Sequence, residues 1–212
     1  MRENPVKIAV LVSGGGTNLQ ALMDAQNSGI IKSGKIELVI ANNAGAYALE
    51  RAAKAGIKTA TVLKKELGSA EAFEQKIKDL LTENGIEIIV LAGFMAILSE
   101  NFTKDYPKRI INVHPALIPS FCGKGFYGLH VHEAALAYGV KYSGATVHFV
   151  NEVADAGAII LQKPVEVMKN DTPETLQKRI MEQAEWNILP QAVSLFCQDK
   201  IEIIDGKAYI KE

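Results

Sequence analysis

Cysteine is scarce: Cys122 and Cys197 are the only two in 212 residues. Two thiols so far apart do not make a disulfide framework, and no cysteine–histidine spacing fits a metal site. Charge of one sign is also missing. A net charge of −1 leaves no electrostatic footprint for nucleic acid or an anionic membrane. No apolar run approaches the length of a membrane span. The apolar start of the chain is short and runs into Gly14-Gly15-Gly16, with no small-residue cleavage site, so it reads as a first strand and not as a signal peptide. Internal repeats, low-complexity tracts and clear linkers are absent. These absences leave a cytoplasmic protein of a reducing compartment as the expectation. What is present is ordinary for a globular chain: 48% hydrophobic and 22% charged residues, enough for one domain or two small lobes.

Apolar strands alternate with amphipathic helices. Residues 6–12 are a β-branched-rich run, punctuated by Ser13-Gly14-Gly15-Gly16-Thr17-Asn18; Leu19, Leu22 and Met23 follow at helical spacing. A strand over 36–40 ends at Ala41-Asn42-Asn43, and a helix over 46–55 stops at Gly56. A short strand follows at 58–63. Ser69 caps a helix to about 83 with Phe73, Ile77, Leu80 and Leu81 as its stripe. Residues 86–91 form another wholly apolar strand, followed by Ala92-Gly93-Phe94-Met95. Strands apolar on both faces imply a parallel sheet covered by helices. After a glycine-rich loop at 122–128, a helix is expected over 130–137 and strands over 143–150 and 159–167, joined closely enough for an antiparallel hairpin. Thr172 and Pro173 start a long helix reaching about 196, with a bend expected at Pro190. Asp205-Gly206 marks a terminal hairpin of strands 201–204 and 208–210. The fold class is α/β: a single domain over 1–212 with a Rossmann-like, open, mostly parallel twisted sheet flanked by helices. Antiparallel strands and a long helix occupy its C-terminal part.

Two stretches carry chemistry. In RIINVHPALIPSF (109–121), Asn112 and His114 are two apart on a strand and share a face, and Pro115 ends the strand. Ligands bind at the carboxyl ends of such strands. The plainer alternative is a strand end that happens to be polar. A catalytic histidine commonly has a carboxylate partner, and Asp155, followed by the small Ala156-Gly157, is a candidate. Spacing alone does not bring it to His114. The glycine loop exposes backbone N–H groups at a helix start, which favours a phosphate. It lacks the third glycine of a dinucleotide fingerprint and the Walker lysine, so a monophosphate fits better; a tight strand-to-helix turn is the alternative. His130 and His132 read as surface or capping residues. His148, on one face with Thr146, is either a satisfied core residue or a group bordering the site. Cys122 has no neighbouring base and is taken as incidental. The charges at Lys178, Arg179, Glu182 and Glu185 read as a solvated face.

Five segments in order, KIAVLVSGGGTNLQAL, VLAGFMAILS, RIINVHPALIPSF, GATVHFVNEVADAGAIILQ and DTPETL, resemble the phosphoribosylglycinamide formyltransferases (GAR transformylases) of purine biosynthesis, within the formyltetrahydrofolate-dependent formyltransferases. The resemblance runs from about Lys7 to Pro190. It implies formyl transfer from 10-formyltetrahydrofolate to the amine of glycinamide ribonucleotide. It implies that Asn112, His114 and Asp155 are catalytic, with Asp155 keeping His114 cationic near neutral pH. Gly16, Thr17 and Asn18 would hold the phosphate, and Glu185 the ribose. Met95, Ala96, Ile97 and Leu98, with Asn112, Asn151, Glu152, Val153, Ala154 and Asp155, would line the folate pocket. The chain would divide into a phosphate-binding half (about 1–105) and a folate-binding, catalytic half (about 106–212). No metal is implied. Folate is a co-substrate and not a tightly bound cofactor, and the partners are small molecules, with no nucleic acid or membrane. A monomer or weak homodimer is expected. The chain departs from the family pattern at Ala96, where many relatives have arginine, at Asp155-Ala-Gly-Ala158 in place of Asp-x-Gly-Pro, in a longer 121–128 loop, and in one extra residue before Glu185. The rival within the superfamily is a formyltetrahydrofolate hydrolase, which carries an additional N-terminal domain. A non-enzymatic nucleotide-binding module is the rival outside it.

Overall fold

The computed structural model describes residues 4–211. In chain order the elements are β1 (Val6–Val12), α1 (Thr17–Asn27), β2 (Gly34–Ala41), α2 (Tyr47–Lys54), β3 (Lys58–Thr61), α3 (Lys64–Leu67), α4 (Ala70–Glu83), β4 (Ile88–Leu91), α5 (Glu100–Asp105), β5 (Ile110–His114), α6 (Leu129–Tyr138), β6 (Tyr142–Phe149), β7 (Ile159–Glu166), α7 (Pro173–Ile180), a π-helical turn (Met181–Glu185), α8 (Trp186–Cys197), β8 (Ile201–Ile204) and β9 (Lys207–Ile210). The main sheet has the order β3-β2-β1-β4-β5-β6-β7. Pairing is parallel from β3 to β5 and antiparallel from β5 through β7. The β8–β9 hairpin forms a separate two-stranded sheet, with Ile201, Ile203 and Ala208 packed on the core.

Period-two alternation along β1 builds both halves of the core. Ile8, Val10 and Val12 pack with α1, α7 and α8 on one face. Ala9 and Leu11 pack with Phe73, Ile77 and Phe102 from α4 and α5 on the other. A strand buried on both faces cannot alternate with polar residues, which is why its sequence is continuously apolar. The sheet order reverses between β1 and β4, and a crevice opens outside the carboxyl ends of the strands at such a point. The glycine loop after β1, the 92–98 segment after β4 and His114 at the end of β5 all lie there.

The long C-terminal helix differs from expectation. Thr172 caps it through the Thr175 N–H with Pro173 in the first turn, as anticipated. The irregularity, however, is the π-turn at Met181–Glu185, and Pro190 sits inside α8 without interrupting it. A π-turn takes i→i+5 hydrogen bonds and so widens the helix by one residue at this point. The donor that Pro190 lacks would have served Trp186, at the junction where the ladder is already broken. The short helices α3 and α5 were not anticipated.

Candidate active site

Antiparallel pairing sets Asn112 directly opposite His148 and His114 opposite Thr146. Cross-strand partners of this kind have side chains within reach of each other. The Asn112 amide nitrogen lies 3.2 Å from His148 Nε2. His114 Nε2 lies 2.8 Å from the Phe121 carbonyl. A carbonyl can only accept, so that nitrogen carries the proton, and Nδ1 faces Asp155 Oδ2 at 3.6 Å. Asp155 also accepts the Gly123 N–H at 2.8 Å and has His148 Nε2 3.5 Å from its other oxygen.

Asp155 reaches this position from the β6–β7 connection because of Gly157. A Cβ at Gly157 would lie 1.8 Å from the Phe149 carbonyl oxygen, so only glycine lets the loop fold against the end of β6. The Phe149 N–H closes the loop on the Ala158 carbonyl at 2.9 Å.

Burial decides the charge states. His114 is 4% exposed, and desolvation lowers its pKa; Asp155 and the Phe121 carbonyl pull the other way without prevailing. Asp155 therefore does not outweigh burial to keep His114 cationic, contrary to expectation. For Asp155, burial acts upward, but the His148 and His114 rings in their protonated forms, together with the Gly123 N–H, hold it below its usual range, and it is ionised. His132 is also corrected. It is fully buried, neither ring nitrogen has a hydrogen-bond partner among the described residues, and burial pushes its pKa down to about 4. It lies on the inward face of α6, where the sequence suggested a cap. His130 is exposed and pairs with Glu133, as a surface residue does.

A cleft of about 790 Å³ brings together Thr17, Asn18, Met95, Ala96, Ile97, Asn112, His114, Ala154, Asp155 and Glu185. A smaller one of about 140 Å³ adjoins it, lined by Ala96, Ile97, Leu98, Asn112, His148, Asn151, Glu152, Ala154 and Asp155. Asn112 and Asp155 lie on both. Val153, assigned to the same pocket from sequence, is 57% exposed and lines neither.

At the far end, Gly16 caps α1 in the left-handed region with φ 72°, and a Cβ there would lie 2.6 Å from Ala48 Cβ. Asn18 donates to Glu185 at 2.6 Å. Glu185 is buried, and desolvation raises its pKa to about 7 despite that bond. The π-turn thus aims this carboxyl inward, and the solvated-face reading does not hold for it. Arg51 braces the glycine loop by donating to the Gly15 carbonyl at 2.8 Å; nothing in the sequence marked it. The 92–98 segment is held by the Met95 N–H on Ser13 Oγ at 2.8 Å and by buried Glu74 on the Ser99 N–H at 2.6 Å. The backbone groups of Phe121 and Gly123 were equally unreadable, since a peptide group leaves no signature in side-chain identity.

The formyl transferase family model matches residues 6–193. Phosphoribosylglycinamide formyltransferase of Haemophilus influenzae is 41% identical over 204 residues, covering 96% of this chain and 93% of that protein. The trifunctional purine biosynthetic protein adenosine-3 of Gallus gallus is 42% identical over 203 residues, and the chain spans only 20% of its length. In structure, glycinamide ribonucleotide transformylase 1 from Symbiobacterium toebii superposes with a TM-score of 0.93 at 37% identity, covering 100% of this chain and 96% of that one. A formyltetrahydrofolate deformylase from Pseudomonas syringae superposes at 0.87 with 25% identity, covering 99% of this chain and 67% of that one.

Proposed function

The chain belongs to the formyl transferase family, and on that footing we propose that it transfers the formyl group of 10-formyltetrahydrofolate to the amine of glycinamide ribonucleotide, a step of purine biosynthesis. The observation that supports this most is the placing of Asn112 and Asp155 where two clefts meet, with the glycine loop at one end. The phosphate sits on the backbone N–H groups at the start of α1, beside Thr17 and Asn18, where a helix N-terminus attracts an anion. Glu185 receives the ribose hydroxyls. The exposed apolar side chains of Met95 and Ile97 at the rim suit the flat ring system of a folate.

The chemistry follows from the charge states. The amine nitrogen attacks the formyl carbon, and the carbonyl electron pair moves onto oxygen. Asn112 donates an N–H to that oxyanion. Neutral His114 takes the proton that leaves the amine. Asp155, 3.6 Å away, lowers the cost of the resulting imidazolium. The imidazolium then protonates N10 of the folate as the carbon–nitrogen bond breaks, so one proton leaves the amine and one reaches the leaving group. A histidine kept neutral by burial can act as base first and acid second.

The test is turnover of 10-formyltetrahydrofolate by the purified protein, with and without glycinamide ribonucleotide. Turnover that requires the ribonucleotide and yields its formyl derivative is expected. Turnover indifferent to the ribonucleotide would instead make the protein a hydrolase, and none in either case would make it a binding module.

A further inference from the structure

We infer that His148 is a positioning residue, which by its tautomer dictates the way the Asn112 amide faces the reacting formyl oxygen; this rests on the formyl-transfer reading. His148 is 1% exposed and stands directly across from Asn112 on the neighbouring strand. Its Nδ1 lies 2.8 Å from the Phe149 carbonyl. That oxygen can only accept, so Nδ1 must carry a proton, and in the neutral ring Nε2 is left with a lone pair. The group that meets Nε2 at 3.2 Å must then be the NH₂ of Asn112 and not its carbonyl. The orientation follows from the network, since the two ends of an amide differ little in shape.

The consequence for the reaction is specific. An amide NH₂ has two protons. One is committed to His148, and the other is left for the oxyanion. Turning the amide over would present an acceptor to a developing negative charge, reversing the sign of the interaction. The Phe149 carbonyl that sets the tautomer is the same atom that packs on Gly157, so it is rigidly placed. The pairing of β6 with β7 is also irregular between Val147 and His148, and bulges of this kind re-aim side chains beside active sites.

One competing arrangement has a definite geometry. A second proton on the ring would sit on Nε2 and turn it toward Asp155 Oδ1, now 3.5 Å away. The Asn112 amide would then lose its acceptor and have to rotate. The charged or titratable groups facing this ring are Asp155 and His114.

The experiment compares His148→Leu, His148→Gln and His148→Asn with the wild type in kcat and KM, and records the imidazole nitrogen shifts of His148 by NMR at neutral pH. Glutamine places an acceptor near the Nε2 position, whereas asparagine reaches only as far as Nδ1. His148→Leu and His148→Asn should lower kcat by roughly 10- to 100-fold with little change in KM, as expected for a misplaced catalytic group. His148→Gln should recover most of that loss, and the spectra should show Nδ1 protonated and Nε2 bare. A purely structural histidine would give equal losses in all three variants. That outcome, an unchanged kcat in His148→Leu, or a proton on Nε2 at neutral pH would each overturn the assignment while the wild type still transfers formyl groups. If His148→Leu does not fold, the glutamine–asparagine pair decides alone. A wild type that transfers nothing brings down the formyl-transfer reading and the positioning role with it.

Discussion

Asn18 on the first helix donates to Glu185, 167 residues further along the chain, at 2.6 Å. The bond joins the glycine-loop end of the cleft to the π-turn of the last long helix. It leaves Asn18 Oδ1 buried without a hydrogen-bond partner among the described residues.

Burial raises the Glu185 pKa from the ordinary 4.5 to about 7. The folded state therefore binds a proton that the unfolded state has released across that window. Stability from this group is present below 4.5 and is lost as pH rises through 7. Glu185→Gln should flatten the fall in melting temperature between those limits and raise the KM for the ribonucleotide. An unchanged melting profile would argue against the raised pKa.

Gly157→Ala should separate activity from folding. The added methyl group would lie 1.8 Å from the Phe149 oxygen, so the loop must shift and carry Asp155 with it. Overpacking of this kind costs ~1–3 kcal/mol. The kcat should fall further than that loss of stability explains, measured by turnover and melting on the same sample.

His114→Ala and Asp155→Asn should each cut kcat by ~10²–10³, the typical size for loss of one preorganised group. Cys122→Ser should leave kcat within about twofold, because the Cys122 thiol donates to the Pro119 carbonyl and does not line the cleft. Desolvation lowers the His114 pKa, so the acid limb of kcat/KM should fall below pH 6.5. In residual Asp155→Asn activity it should move lower still, because the carboxylate that favours the cation is gone. A pH–rate series checks both.

Asp171 accepts both Arg179 guanidinium nitrogens at 2.6 Å, and this pairing holds its pKa down to about 2. Its stabilisation is present above the ordinary 3.8 and lost as pH falls toward 2. Asp171→Asn should cost ~1–3 kcal/mol at neutral pH and little in strong acid. Denaturant unfolding at both pH values measures the difference.

The chain of elements was largely legible, because period and punctuation are local. β1 ends at Val12 as read, Ser69 caps α4, and Asp205-Gly206 turns the last hairpin. The sharing of a face by Asn112 and His114 was legible for the same reason: alternation on a strand needs no knowledge of anything else. Histidine environments were not. His130 and His132 are two residues apart on one helix start, yet one is exposed and the other fully buried, since burial depends on what packs against each face. A bend was expected at Pro190, but the break in the α-helical ladder is the π-turn before it, and the proline sits inside a continuous α8.

By itself, the sequence determined which side chains could do chemistry and which strand ends would present them, because identity and alternation are properties of neighbouring residues. Only the tertiary structure decided their states. Desolvation, which depends on the whole surrounding shell, makes His114 neutral and raises Glu185. The meeting of Asp155 with His114 depends on a backbone contact at Gly157 that no spacing encodes. The orientation of Asn112 depends on a carbonyl across the sheet.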